Sequence, residues 1–146
     1  ERVIAEIEGT PDACPDWPNS IHDALAAAGA EMSRLGTDRQ SSTNEFAAWL
    51  VGTLGIDEDR FSGITYLRGG QAIFDEMGWA EFNDLLGRNE RTCRVSPEKL
   101  GGVIKPRYLE VSHLLQQNRQ RFKALAEAID IAVWRLVGLR DAPRVP

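Results

Sequence analysis

The residue types in this chain that could do chemistry unaided are few: two histidines, two cysteines and one run of three acids. His22 and His113 would act as zinc ligands or general bases only with partners at fixed spacing. Neither an HExxH pair nor a Cys/His cluster accompanies them. Both fall within helical periodicity, where a structural or solvent-facing role is the simpler reading. Cys14 and Cys93 lack a CxxC partner and read as reduced thiols of a cytosolic protein; a disulfide between them stays open, because sequence does not give their separation. Asp57-Glu58-Asp59 lacks the spacing and the glycine of a calcium loop, so a solvated acidic turn accounts for it. No GxSxG elbow, P-loop or GxGxxG occurs, and Gly69-Gly70 reads as a turn. No catalytic constellation can be assembled, and no metal or cofactor site is expected in this chain.

Charge distribution is more informative. The chain carries a net charge of −5, but unevenly. Residues 1–85 hold 16 acidic and 5 basic side chains, whereas residues 86–123 hold 9 basic and 3 acidic ones. An acidic protein binds nucleic acid poorly by bulk attraction, yet a confined basic segment can still face phosphates. Within that segment, Arg88, Arg91, Arg94, Lys105, Arg107, Arg119, Arg121 and Lys123 are the candidate contacts to a DNA backbone. The solvated side of a long helix would account for the same charges. Trp17, Trp49, Trp79 and Trp134 could stack bases; Trp49 and Trp134 lie in helical apolar patterns and read as core, while Trp17 and Trp79, at segment edges, stay open.

The elements that must position these residues are helical. Residues 2–8 alternate in hydropathy up to Gly9, which predicts a short extended arm, with a Pro-rich boundary loop through residue 18. A helix from Asn19 or Ser20 to Leu35, stopped by Gly36, is expected next. A second follows Ser42-Thr43 and runs through Phe46, Trp49, Leu50 and Leu54 to Gly55. Gln71–Met77 fits a short helix, Trp79 to about Asn89 a further one, and residues 90–105 a connection broken by Pro97 and Gly101-Gly102. The strongest pattern comes last. Tyr108, Leu115, Phe122, Ile129 and Leu136 repeat every seven residues, with Val111, Asn118, Leu125 and Ala132 three positions on. This predicts one long helix from Pro106 to Gly138. Truncating Phe122 or Ile129 to alanine is then expected to cost about 2–5 kcal/mol. The fold class expected is all-α, about four to five helices around a long C-terminal helix, with residues 1–18 as arm and loop and 19–146 as the helical domain. No stretch is long and apolar enough to span a membrane. Opening on Glu1 rather than Met, the chain reads as a piece of a larger cytoplasmic protein.

Within that last helix, Ala128-Ile129-Asp130-Ile131-Ala132-Val133-Trp134-Arg135-Leu136-Val137-Gly138-Leu139 resembles the end of a helical region in bacterial class I adenine DNA methyltransferases. The likeness is to the single-chain type II restriction–modification proteins and related phage-defence enzymes. The order of the preceding elements agrees, with a Phe-x-x-Trp-Leu helix at Phe46, Trp49 and Leu50, and Phe82, Leu85 and Leu86 ahead of basic residues. Trp134 and Val137 stand where the family usually has tyrosines, and Arg140-Asp141-Ala142-Pro143 replaces an acidic continuation. The resemblance implies a non-catalytic scaffold beside the target-recognition segment of an adenine-N6 methyltransferase, bracing the rest of its parent polypeptide and touching double-stranded DNA. The parent's S-adenosylmethionine site and catalytic motif would lie outside this chain. A free-standing helical adaptor or inhibitor with no DNA role is the competing expectation.

Overall fold

The computed structural model describes residues 17–136, and the described residues are helical as expected. Five α-helices run in order: α1 (Trp17–Leu54), α2 (Ile64–Arg68), α3 (Gln71–Glu76), α4 (Trp79–Arg88) and α5 (Pro97–Leu136). A 3₁₀ turn, Glu90–Thr92, links α4 towards α5. The expected arm lies outside the described residues, apart from Trp17 and Pro18, which begin α1. Among the described residues no helix is long and apolar enough to cross a membrane.

Two expected breaks are absent. α1 passes through Gly36, Ser42 and Thr43 without stopping and spans 38 residues. An interior glycine costs about 1 kcal/mol relative to alanine, which buried neighbours on either side outweigh. Here those neighbours are Ile21, Ala24, Ala28 and Leu35 before it and Phe46, Leu50 and Leu54 after it. α5 begins at Pro97 rather than after Pro106, and it carries Pro106 and the Gly101-Gly102 pair within its 40 residues. Ser96-Pro97-Glu98 is the true start: proline suits the first turn, where its missing N–H would be unpaired anyway, and an acid there suits the helix dipole.

The chain forms two compact units, each with its own core. Thr37–Gln117 makes one of them. Its core gathers Phe46, Leu50 and Leu54 from α1, Ile73 from α3, Phe82, Leu85 and Leu86 from α4, and Ile104, Tyr108, Val111 and Leu115 from α5. Tyr108 sits at the middle of its aromatic rings, with centroids 4.8 Å from Phe82, 5.1 Å from Phe74 and 5.6 Å from Trp79. Its hydroxyl donates to the Met77 carbonyl at 2.6 Å, which closes the end of α3 onto α5. Burial pushes the Tyr108 phenol up to about 12, with Glu81 adding to the effect.

Among the described residues, 17–36 and 118–136 make the other unit. Its seam is thinner: Ile21, Ala24, Ala28 and Leu35 of α1 meet Leu125, Ala128 and Ala132 of α5. Glu31 pairs with Arg34 one turn on and with Arg121 of α5, at 2.7 and 2.9 Å. The hydrogen bond from Arg34, helped by the charges of Arg34 and Arg121, holds the Glu31 carboxyl below its usual range.

The seven-residue seam expected along α5 therefore holds for only part of its length. Tyr108, Val111 and Leu115 are buried, and burial resumes at Leu125, Ala128 and Ala132. Phe122 is 43% exposed and Ile129 only partly covered. A heptad pattern presumes one continuous core along the helix, whereas α5 gives Tyr108, Val111 and Leu115 to one core and Leu125, Ala128 and Ala132 to another.

Candidate functional site

The eight basic residues singled out in the sequence do not form one strip. Lys105 and Arg107 lie two residues apart on α5 and do not share a face; Arg119 and Lys123, four apart, share one, and Arg121 between them lies off it. At least half of the set is also already paired. Arg88 lies 3.8 Å from Asp84, Arg107 3.3 Å from Glu110, Arg121 2.9 Å from Glu31 and Lys123 3.8 Å from Glu127.

Arg91 and Arg94 are different. They line a cleft of roughly 540 Å³ together with Arg60, Thr92, Cys93 and the 55–58 turn. All three arginines are exposed. Among the described residues no carboxylate stands within ion-pairing distance of any of them. Asp57 and Glu58 also line the cleft, and Glu58 leans towards Arg68 at 3.6 Å.

The cleft is built from two segments distant in sequence. Gly55 ends α1 in the left-handed conformation, φ 60°, which lets the chain turn sharply after Leu54. Ile56 and Cys93 then pair as an isolated antiparallel bridge. The Asp57 amide donates to the Thr92 carbonyl at 2.8 Å, and the Arg94 amide donates to the Leu54 carbonyl at 2.9 Å. Asn89, only 3% exposed, ties the wall behind them. Its amide oxygen accepts from the Ser62 N–H at 2.6 Å, and its amide nitrogen donates to the Ser62 and Leu85 carbonyls, both at 2.9 Å. Thr92 caps the same turn by donating to the Asn89 carbonyl at 2.7 Å.

Gly55 has a second role. A Cβ at this position would come within 2.9 Å of the Arg94 side-chain stem, so Arg94 crosses over Gly55 because no side chain stands there. That close approach sets where the guanidinium leaves the backbone. Each guanidinium presents its donors in a planar fork, which suits two-point contact with an anion. Burial pushes the Cys93 thiol up, which keeps it a weak nucleophile. Cys93 is a free thiol.

The remaining candidates are structural or solvent-facing. His22 is exposed beside Asp23, and His113 contacts Gln117 on the surface of α5. No group of three or more metal-ligating side chains occurs among the described residues. Trp79 packs on Phe82 and Tyr108, Trp49 is partly buried against the same core, and Trp134 is half-buried. Sequence reasoning found Arg91 and Arg94 but missed Arg60, which precedes them by some 30 residues in an acidic turn. Pairing of the segment around Ile56 with the segment around Cys93 brings it there, and no local signal announces that pairing. No protein-family model, curated protein or solved structure matches this chain.

Proposed function

We propose that this chain is a non-catalytic helical domain that seats a larger protein on a nucleic-acid backbone. The parent in this reading is the cytoplasmic adenine-N6 DNA methyltransferase or restriction–modification protein that the sequence resembles. The observation supporting it is the cleft edged by Arg60, Arg91 and Arg94, three guanidinium groups with no ion-pair partner among the described residues. Exposed like charges held together are relieved by an anion, and phosphate contacts position a protein on DNA without reading its sequence. Lys105, exposed and without an acidic partner among the described residues, adds a further cation. Arg107, Arg121 and Lys123 contribute less in this reading, because each would first have to leave a carboxylate.

Fluorescence anisotropy with a generic duplex at low and moderate salt tests the proposal. Weak binding that fades as salt rises is expected, and charge reversal at Arg91 and Arg94 is expected to remove most of it. Full-strength binding by that double variant would sink the assignment to the cleft. The competing adaptor reading draws on Phe122 and Val133, 43% and 46% exposed on α5. An absence of DNA binding even at low salt would favour it.

A further inference from the structure

We propose that the cleft between residues 55–60 and 91–94 is a binding site for a phosphate monoester of nucleotide size. This step goes beyond contact with a DNA backbone, because it concerns what a concave site can hold. A volume of roughly 540 Å³ lies within the range of small-ligand pockets, about 300–1,000 Å³. A duplex backbone is a convex run of diesters, each with one charge and two free oxygens. A monoester ends in three free oxygens and carries close to two charges at neutral pH. Three arginines match that terminus, since each guanidinium presents a planar fork suited to two phosphate oxygens.

The rest of the lining fits the remainder of such a ligand. Asp57 is exposed at the cleft and has no ion-pair partner among the described residues, so its carboxylate can accept from a sugar hydroxyl or a base amine. Thr92 directs its hydroxyl to the Asn89 carbonyl and serves the wall rather than the ligand. The walls are held before any ligand arrives, by the Ile56–Cys93 bridge and by the three hydrogen bonds of Asn89. Pre-organisation of this kind lowers the ordering cost of binding. Two sources share this chemistry: a free nucleotide, and the phosphorylated end of a nucleic-acid strand.

The experiment titrates the full chain with 5′-AMP and with inorganic phosphate by calorimetry, following the ³¹P resonance in parallel. Both probes are expected to compete for one site. Arg60→Gln is expected to weaken 5′-AMP at least tenfold with an unchanged circular-dichroism spectrum, while Arg121→Gln leaves it as it was. A second variant, Arg94→Gln, guards against a folding defect peculiar to position 60. Paired oligonucleotides with and without a 5′-phosphate separate the sources. A clear preference for the phosphorylated end supports a strand terminus, and equal binding with 5′-AMP affinity intact supports a free nucleotide. Absence of saturable 5′-AMP and phosphate binding overturns the proposal, as does 5′-AMP binding indifferent to both arginine variants. In either case salt-dependent duplex binding would leave the backbone-seating reading standing.

Discussion

The two units of this chain are packed from the same two long helices but by different chemistry. Thr37–Gln117 buries an aromatic cluster with a phenol hydroxyl anchored at its centre. The other unit has a narrow seam of alanines and leucines, with Glu31 pinned by Arg34 and Arg121 at its edge. Large rings bury more area and interlock at set angles, whereas alanines let helices approach closely yet contribute little area each. One helix can thus be held strongly at one end and lightly at the other, without any break in its hydrogen-bonded backbone.

The largest expected effect is at the aromatic centre. Phe82→Ala is expected to cost about 3–5 kcal/mol, as a large-to-small change at a fully buried site. Phe122→Ala, on the same scale of size change, is expected to cost under about 1 kcal/mol, because its ring is 43% exposed. Urea unfolding of the two variants compares them directly, and equal losses would erase the distinction between the units.

Tyr108→Phe comes next. It leaves the Met77 carbonyl without its donor, and about 1–3 kcal/mol is the expected loss. The same residue gives a pH signature. Its folded pKa is raised from 10.0 to about 12, so the fold favours the protonated phenol. That stabilisation is complete below pH 10 and is lost as pH rises towards 12. An alkaline decline in melting temperature over that window, absent from Tyr108→Phe, is the result to look for.

Gly55→Ala is expected to cost about 1–2 kcal/mol from the left-handed backbone alone. It should also displace Arg94, so weakened phosphate binding is expected to accompany the loss of stability. The smallest effect is at Glu31, whose carboxyl is held low by Arg34 and Arg121. Its contribution is present above the ordinary carboxylate range and is lost as pH falls through its lowered pKa. Glu31→Gln is expected to flatten that acid limb while leaving the alkaline limb of Tyr108 untouched.

Much of the helical content was legible because apolar spacing is a local signal. Phe82, Leu85 and Leu86 are buried on α4, the stop at Gly55 is real, and Tyr108, Leu115, Leu125 and Ala132 all face inward. Gly36 misled as a stop and Pro106 as a start because such signals are local, while the burial that overrides them comes from distant residues. Phe122 misled because a seven-residue repeat cannot reveal that the core changes along the helix. The cleft was half legible. Arg91 and Arg94 stand out by type, but their company with Arg60 depends on Ile56 meeting Cys93. The eight bases looked like a strip because sequence lists charges without their partners, and Asp84, Glu110, Glu31 and Glu127 occupy half of them.

The Ile56–Cys93 bridge also carries a kinetic consequence. Its two residues close a loop of roughly 40 residues, and loop closure of that length is an entropic cost met before the contact can form. α2, α3 and α4 all lie inside this loop, so the two sides of the cleft meet only when that stretch has collapsed into place. A ligand held there therefore binds the finished unit and not its precursors. By mass action such a ligand raises the melting temperature as its concentration rises. In a refolding experiment its binding signal would be among the last to appear, after helix formation is complete by circular dichroism.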